Sequence, residues 1–391
     1  MFTFRGPLEI SKSWMNRAFI LQSFSPQLKI RGDSSADDVV LLKKALDDFR
    51  QGKKEFYAGL GGTTFRFLVF RLSREKGDFF ISAEEKLLKR PQTEMIDVLN
   101  QLGVQVEVQS NGWQIRSSGW ADPKMPIQIP TQVSSQFISA FLLSTVGFDF
   151  NYQLDFDEKN MVSEGYYQMT LDLLKKCGVK VGQAHQTIQT QELFGEVDVS
   201  SGFSLIAAGA LAGDVTITNW QQNFSQPDIE FKSFFEKMGI QFAEKFDLAL
   251  EQTSFHIHKQ ERFQALIADI KNCPDLFPVL SVLCAFAEGE SHLFNAPQLK
   301  DKESNRIEKT AELLQKCGFA VEKQNDGLKI QGHPDAIYKK RDLILFDPDH
   351  DHRMAMAAGL LMLKGFPIRL PDMNVVNKSY PDFFKHIGIL Q

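Results

Sequence analysis

The feature that most constrains this chain is an amphipathic helix that recurs along its whole length and each time ends at a glycine. The glycine is followed by an apolar stretch of strand character, as in IDVLNQLGVQVEV and AELLQKCGFAVEK. Glycine enters the left-handed conformation that closes a helix without a Cβ penalty, so each copy predicts a helix end and then a strand. The six glycines are Gly52, Gly103, Gly178, Gly239, Gly318 and Gly388.

A second type of helix alternates with the first and is apolar on nearly every side. Because a helix that is apolar all round belongs inside a protein, these copies predict an inner layer of buried helices. Six units of two helices with several strands predict two similar domains of three units each, in an α/β or α+β class. The six apolar segments are SKSWMNRAFILQSF, GGTTFRFLVFRL, VSSQFISAFLLST, VSSGFSLIAAGALAG, CPDLFPVLSVLCAFAEG and DHRMAMAAGLLMLKG.

Composition limits which partners the protein can bind and which cellular compartment it can occupy. The 391 residues carry 44 Lys and Arg against 49 Asp and Glu, a formal net charge of −5. That balance argues against a broad basic surface for nucleic acid. The longest apolar run, from Leu276 to Ala287, is too short to cross a bilayer. The four cysteines form no C-x-x-C pair and no apolar leader begins the chain, so we expect reduced thiols and a cytoplasmic location.

Polar and cationic residues gather where the apolar helices begin. Small polar residues at such positions are ordinary helix caps. A helix N-terminus also binds anions, however, and cations such as Lys12, Arg17, Arg66 and Arg353 go beyond capping. The sequence therefore predicts a site for more than one anionic group. Loops contribute further cations, namely Lys86, Lys89, Arg90, Lys300, Lys302, Arg306 and Lys378.

Spacing excludes two other kinds of site. GLGGTT has neither the P-loop pattern G-x-x-x-x-G-K-[ST] nor the Rossmann spacing G-x-G-x-x-G, so we expect no nucleotide or dinucleotide cofactor. His350 and His352 lie two residues apart, and positions i and i+2 of a helix do not share a face. We therefore expect no metal site at this histidine pair.

These segments together resemble the 5-enolpyruvylshikimate-3-phosphate synthase family. SKSWMNRAFIL is similar to the family's SKS-x-x-NRALLL, GLGGTTFR to its G-N-A-G-T-x-x-R loop, and EEKLLKRP to its R-x-x-x-RP. The resemblance runs from about Ile10 to Ile387, in the family's order. The other matching segments are VSSQF, MVSEGYYQMTLDLL, CPDLFPVLSVLCAFAEG, DKESNRI, DHRMAM and NKSYPDFF.

The resemblance implies a fold of two domains, each a threefold repeat of a βαβαββ unit with buried helices, an inside-out α/β barrel. The first domain would span residues 11–195 and mainly hold shikimate-3-phosphate. The second would combine residues 1–10 with 196–391 and mainly hold phosphoenolpyruvate. Two crossover strands would join the domains, and helix N-termini would face the cleft between them.

The resemblance also implies an activity, the transfer of the enolpyruvyl group of phosphoenolpyruvate to the 5-hydroxyl of shikimate-3-phosphate. Phosphate is released, and the reaction belongs to the shikimate pathway of aromatic amino-acid biosynthesis. Both substrates are anionic, which agrees with the clustered cations. The family needs no metal or organic cofactor, and a monomer without nucleic-acid or membrane partners is expected.

Individual residues carry over from the family's motifs. Asp275 would be the base near the 5-hydroxyl and Glu303 the proton-transfer acid and base, with Lys12 and His352 beside the enolpyruvyl group. The residues implied for phosphoenolpyruvate are Lys12, Gly62, Lys86, Arg306, Arg353 and Lys378. Those implied for shikimate-3-phosphate are Ser13, Arg17, Ser134, Ser135, Gln136, Ser163, Asp275, Gln298 and Lys302.

The chain departs from the family pattern at several of these positions. Lys86 stands where the family has an Arg, which keeps the charge but loses the bidentate fork. Leu60, Gln298 and His350 each replace a family Asn, and residues 164–166 read EGY where the family has KPY. We expect these changes to affect affinity more than the number of anion-binding groups.

Two other functions stay open at the level of sequence. UDP-N-acetylglucosamine enolpyruvyltransferase shares the fold but carries a catalytic Cys in its first domain, whereas here no Cys precedes Cys177. A non-catalytic phosphometabolite-binding protein is the second alternative, suggested by Lys86 and Leu60. Such a protein would have no use for a proton-transfer set such as Asp275 with Glu303.

Overall fold

A computed structural model describes residues 2–248, 251–338 and 342–389, in which helices and strands alternate. The helices are α1 (Lys12–Phe24), α2 (Asp37–Arg50), α3 (Gly62–Ser73), α4 (Glu85–Leu88), α5 (Glu94–Gln101), α6 (Ser135–Leu143), α7 (Glu164–Lys176), α8 (Val199–Ala212), α9 (Phe231–Met238), α10 (Phe277–Ala285), α11 (Arg306–Lys316), α12 (His352–Leu363) and α13 (Phe383–His386). The strands are β1 (Phe2–Gly6), β2 (Lys29–Arg31), β3 (Glu55–Tyr57), β4 (Lys76–Ser82), β5 (Gln105–Gln109), β6 (Gly112–Ser118), β7 (Ile127–Gln128), β8 (Leu154–Asp155), β9 (Glu192–Phe194), β10 (Gly213–Trp220), β11 (Phe242–Asp247), β12 (Gln252–His258), β13 (Ile267–Asp269), β14 (Glu290–Phe294), β15 (Val321–Gln324), β16 (Gly327–Gln331), β17 (Ile344–Leu345) and β18 (Ile368–Arg369).

The chain folds into two compact units. One is continuous and spans Lys12–Gly195, and the other combines Met1–Ser11 with Glu196–Gln391. We call them the continuous unit and the split unit. Within the split unit the two chain segments are joined by backbone hydrogen bonds, because the Ser11 N–H donates to the Glu196 carbonyl at 2.8 Å and the Asp198 N–H to the Glu9 carbonyl at 2.9 Å.

Three four-stranded sheets share one topology. Their strand orders are β3-β4-β6-β5 in the continuous unit, and β1-β10-β12-β11 and β13-β14-β16-β15 in the split unit. In each sheet the first two strands are parallel and the last two form an antiparallel hairpin. Three shorter parallel pairs, β2-β9, β7-β8 and β17-β18, complete the set. Among the described residues the full βαβαββ pattern therefore occurs three times, and the other repeats show only its parallel pair.

The apolar helices form the interior of each unit. In the continuous unit α1, α3 and α6 pack against one another, and in the split unit α8, α10 and α12 do the same. Burial is nearly complete: every residue of α8 from Val199 to Leu211 is buried. The predicted inner layer of six helices and the mixed α/β class are thus confirmed. In the described part of the chain, no helix has the length and apolarity needed to cross a membrane.

All six glycines that predicted helix ends adopt positive φ angles, between 72° and 91°. The prediction that a strand follows each of them is wrong after Gly178. After Gly388, Ile389 is not in a strand, and the rest of the predicted strand lies outside the described residues. Beyond Gly178 the backbone pairs with a loop instead of a strand, since the Tyr152 N–H donates to the Gly182 carbonyl and the Gly147 N–H to the Gln186 carbonyl. Local periodicity marks the helix end, whereas a strand also requires a partner that the local sequence does not specify.

Candidate active site

The guanidinium of Arg306, at the first position of α11, contacts three carboxylates. It is fully buried. Its Nη1 lies 2.7 Å from Asp275 Oδ1, its Nε 2.8 Å from Asp351 Oδ2, and its Nη2 3.1 Å from Glu303 Oε2. Three cations border this group, Lys302, Arg353 and Lys378. We refer to these seven residues as the Arg306 cluster.

Four helix beginnings supply the Arg306 cluster. Asp275 lies in the 3-10 turn that leads into α10, and Glu303 lies in the loop before α11. Asp351 caps α12, where its side chain accepts the Arg353 N–H at 2.9 Å. Lys378 ends the 3-10 turn before α13. Because these turns all enter helices at the same end of the split unit, residues far apart in sequence become direct neighbours.

Arg353 is the residue of the Arg306 cluster that is best placed to bind an anion. Only 1% of it is exposed, and in the described part of the chain its Nε and Nη1 have no hydrogen-bond partner. Its Nη2 lies 3.9 Å from Asp275 Oδ2, beyond hydrogen-bonding distance. Buried charged N–H groups without acceptors are costly, and the cluster holds one more cation than carboxylate. Both observations favour an anionic ligand at Arg353.

The cations also set the protonation of the carboxylates. Burial alone would raise the pKa of Asp275, but the facing Lys302, Arg306 and Arg353 hold that pKa well below its usual range. Burial alone would likewise lower the pKa of Arg306, yet Asp351, Asp275 and Glu303 raise it, so the guanidinium stays charged. Asp275 is therefore a weak base as long as these cations have no other anion to neutralise them.

In the continuous unit, Lys12 opens α1 and pairs with Asp38 at the start of α2. The Lys12 Nζ lies 3.1 Å from Asp38 Oδ2, and Thr64 Oγ1 of α3 donates to the Asp38 carbonyl at 2.9 Å. A Cβ atom on Gly61 would lie 2.7 Å from both Asp38 Oδ1 and Thr64 Oγ1. A Cβ atom at Gly61 would therefore displace the side chains of Asp38 and Thr64, and the beginnings of α1, α2 and α3 are direct neighbours.

Arg17 links α1 to α7. Its Nη1 donates to the Ser13 carbonyl at 2.7 Å, its Nε to Thr170 Oγ1 at 2.8 Å, and its Nη2 to the Tyr166 carbonyl at 2.9 Å. Burial lowers the pKa of Arg17 to about 10, so it stays protonated at neutral pH. Ser163 opens α7 in the left-handed conformation, with φ of 55°, and its carbonyl accepts the Tyr166 N–H.

A third group in the continuous unit surrounds the start of α6. Ser134 caps this helix by accepting the Gln136 N–H at 3.2 Å, and Ser135 is buried behind it. Arg66 of α3 donates to Gln136 Oε1 at 2.6 Å. Gly62 opens α3 next to this group, and a Cβ there would lie 3.6 Å from Arg66 Nη1. Lys86 lies half-buried on α4, in the segment that follows β4.

Two further residues named from the sequence lie in the split unit, and one of them, His352, adjoins Asp351 of the Arg306 cluster. Gln298 Nε2 donates to the Lys271 carbonyl at 2.9 Å. His352 is buried at the first position of α12, with its Nδ1 3.9 Å from Asp351 Oδ1. No set of three or more His, Cys, Asp or Glu among the described residues is placed to hold a metal ion.

Sequence reasoning missed the two carboxylates that hold the cations, Asp38 and Asp351. Both stand at helix beginnings, where an Asp is also an ordinary cap, so the residue type alone carries no distinguishing signal. The adjacent residues offer a weak indication in each case, because Asp351 precedes His352 and Arg353 and Asp38 follows another Asp in α2. Neither pairing could be found without the fold.

Comparison with known proteins agrees with this architecture. The sequence model of the family "EPSP synthase (3-phosphoshikimate 1-carboxyvinyltransferase)" matches residues 24–387. A 3-phosphoshikimate 1-carboxyvinyltransferase of Vibrio cholerae serotype O1 (strain M66-2) is 28% identical over 345 residues, covering 84% of this chain and 78% of that protein. One from Pyrococcus furiosus is 29% identical over 343 residues, covering 85% and 80%.

Solved structures show the same fold at lower identity. EPSP synthase from Acinetobacter baumannii superposes with a TM-score of 0.71 at 20% identity, covering 99% of this chain and 95% of that one. The enolpyruvyl transferase NikO from Streptomyces tendae gives 0.72 at 14% identity, covering 99% and 94%. The predicted two-domain fold class is thereby confirmed. Since the family's sequence model spans nearly the whole chain, this protein belongs to the EPSP synthase (3-phosphoshikimate 1-carboxyvinyltransferase) family.

Proposed function

We propose that this protein transfers the enolpyruvyl group of phosphoenolpyruvate to the 5-hydroxyl of shikimate-3-phosphate and releases phosphate. Membership of the family supports the reaction. The observation that carries it is the Arg306 cluster, in which the buried Arg353, whose Nε and Nη1 have no hydrogen-bond partner among the described residues, lies close to two carboxylates suited to proton transfer, Asp275 and Glu303. The reaction needs both an anion site and proton-transfer groups, and the cluster provides them together.

The two carboxylates share the proton transfers. Asp275 accepts the proton of the 5-hydroxyl as its oxygen bonds to C2 of phosphoenolpyruvate, and Glu303, protonated in the complex, delivers its proton to C3. The resulting tetrahedral intermediate then loses phosphate from C2, and the departing phosphate takes the proton that Asp275 holds. Glu303 takes a proton back from C3, which restores the double bond. Arg306, Arg353 and Lys378 stabilise the phosphate and carboxylate charges, and His352 lies beside them.

Substrate binding itself is proposed to prepare these carboxylates. A bound phosphoenolpyruvate shares the cations that hold the pKa of Asp275 below its usual range. Once an anion neutralises part of that charge, the pKa of Asp275 rises and the carboxylate becomes a better base. Proton transfer is thereby linked to the presence of substrate.

We assign shikimate-3-phosphate mainly to the continuous unit. Ser134, Ser135 and Ser163 offer hydroxyl groups at the beginnings of α6 and α7, where helix N-termini favour a phosphate. Arg17 and Ser13 add charge and a hydroxyl, and Gln136 would line the sugar ring. Lys12 and Lys86 of this unit, with Gly62, would contact phosphoenolpyruvate. Lys302 and Gln298 of the split unit would complete the sugar-phosphate contacts.

Cysteine chemistry argues against the sister activity on UDP-N-acetylglucosamine. Cys177 is the only cysteine of the continuous unit, and it lies buried at the end of α7. Burial raises the pKa of its thiol to about 11, so it is neither a thiolate nor an accessible acid. The four cysteines are buried and free, which supports the proposal of a cytoplasmic setting.

The deciding experiment measures phosphate release from phosphoenolpyruvate by the purified protein. We expect release only when shikimate-3-phosphate is also present, and none with UDP-N-acetylglucosamine in its place. Calorimetry with each substrate separates binding from turnover. Tight binding of both ligands without phosphate release would instead identify a non-catalytic phosphometabolite-binding protein.

Lys86→Met is expected to raise the KM for phosphoenolpyruvate by at least about tenfold, the effect of losing a hydrogen bond to a charged group. Lys89→Met is the matched control, because Lys89 lies one turn away, is exposed and pairs with Glu85 of the same helix. Steady-state kinetics at saturating shikimate-3-phosphate measure both variants. Equal KM values for the two variants would remove Lys86 from the site.

A further inference from the structure

Arg66 is a buried cation of α3 that the proposed reaction does not use. Only 4% of it is exposed, and its Cζ lies 5.3 Å from the centroid of the Phe137 ring. Its guanidinium donates in two directions: Nη1 to Gln136 Oε1 at 2.6 Å and Nη2 to the Pro91 carbonyl at 3.0 Å. One side chain therefore bridges the start of α6 and the segment after α4.

The contact to Gln136 fixes an amide at both ends. Arg offers donors only, so the oxygen of the Gln136 amide must face Arg66. The amide nitrogen then points the other way, where Gln136 Nε2 donates to Thr63 Oγ1 at 3.0 Å. Thr63 and Arg66 both belong to the beginning of α3. The Gln136 side chain is thus held in one orientation by two residues of a neighbouring helix.

The contact to Pro91 holds the other side of the site. Pro91 ends the segment that carries Lys86 and Arg90, and a Cβ on Gly62 would lie 3.0 Å from Arg90 Nη1. Arg66 therefore anchors this segment where it passes over the first turn of α3. Gln136, assigned to shikimate-3-phosphate, and the segment that carries Lys86, assigned to phosphoenolpyruvate, therefore share Arg66 as a common support.

We propose that Arg66 is a positioning residue that orients Gln136 for shikimate-3-phosphate and holds the Lys86–Pro91 segment for phosphoenolpyruvate. The inference rests on the proposed function. Lysine cannot replace Arg66, because a single ammonium has no planar fork with which to reach Gln136 and Pro91 in two directions at once. The proposed proton transfers are assigned to Asp275 and Glu303, so Arg66 has no assigned part in them.

The test compares Arg66→Lys with Arg71→Lys. Arg71 is a matched control on the same helix, equally buried at 4% exposed, whose guanidinium bonds Ser23 and Glu75 and no residue of the proposed site. We expect Arg66→Lys to raise the Kd for shikimate-3-phosphate and the KM for phosphoenolpyruvate about tenfold. The pH profile of kcat should keep its shape. Arg71→Lys should lower the Tm and leave both constants unchanged.

A double-variant cycle tests whether Arg66 acts through Gln136. If it does, Arg66→Lys combined with Gln136→Met should bind shikimate-3-phosphate no more weakly than Gln136→Met alone. Additive losses would contradict the inference, as would an Arg66→Lys variant that loses Tm but keeps the wild-type Kd.

Thr63→Val keeps the inference testable if Arg66→Lys does not fold. Thr63 is half-buried, and removing its hydroxyl frees only the amide nitrogen of Gln136. We expect a higher Kd for shikimate-3-phosphate with an unchanged KM for phosphoenolpyruvate, because the Pro91 contact remains. An unchanged Kd would overturn the inference. A wild-type protein that does not bind shikimate-3-phosphate would instead refute the proposed function, and the inference with it.

Discussion

Glu303→Gln is expected to lower kcat by at least about 100-fold, the low end for loss of a general acid or base. Glutamine keeps the shape of the side chain, and its amide oxygen can still accept from one of the two cations that contact the carboxylate, Arg306 Nη2 at 3.1 Å or Lys378 Nζ at 2.8 Å. It cannot carry or accept the proton that moves to and from C3. The loss should therefore fall on kcat, with a much smaller change in the KM for phosphoenolpyruvate.

Glu308→Gln is the control for this prediction. Glu308 lies in the first turn of α11, the helix that follows Glu303, its side chain is 55% exposed, and its partner is Lys323. Turnover of this variant should match wild type. Thermal unfolding of both variants shows whether a kcat loss reflects chemistry or folding. Near-normal turnover by a folded Glu303→Gln variant would rule out the proton-transfer role.

Most of the helices and their burial could be predicted from the sequence, because these features depend on residues close together in the chain. A glycine can end an amphipathic helix through its own backbone conformation, without a distant partner. Gly103 and Gly318 do so with φ angles of 75° and 91°. The burial of an apolar helix such as α8 can likewise be predicted from its own residues. Strand pairing is different, since the residues after Gly178 have strand-like composition but pair with a loop.

The candidate site could be predicted only in part, because its geometry depends on ion pairs between residues distant in sequence. Motifs place Lys12, Glu303 and Arg306 at helix beginnings. They do not show that the partner of Lys12 lies 26 residues away, or that Glu303 pairs with a lysine 75 residues away. The low pKa of Asp275 arises from Lys302, Arg306 and Arg353, which come from two segments distant from Asp275 in sequence, so it could not be predicted from the sequence.

Arg306→Met is expected to destabilise the split unit by about 3–5 kcal/mol, the usual cost of removing one partner from a buried ion pair. Asp275, Glu303 and Asp351 would lose the guanidinium that contacts all three, and methionine offers them no donor. Hydrogen exchange localises the effect: amides of α10 and α12 should lose protection, whereas those of α3 and α6 in the continuous unit should not. Arg262→Met is the control, because Arg262 is half-exposed and its pair with Asp335 should contribute little.

The pH dependence of stability gives Arg306→Met a signature that a simple packing defect lacks. In the wild type the folded-state pKa of Asp275 is depressed, so its contribution is present above the unfolded value of about 3.9 and is lost as pH falls toward the folded pKa. In the variant Asp275 faces less positive charge, so its folded-state pKa should lie closer to the unfolded value than it does in the wild type. The Asp275 contribution that the wild type loses as pH falls below about 4 is then smaller in the variant, so the difference in free energy of unfolding between the two proteins should narrow over that range. Urea unfolding at a series of pH values below 7 measures this difference, and a difference that stays constant as pH falls would show that Arg306 does not lower the pKa of Asp275.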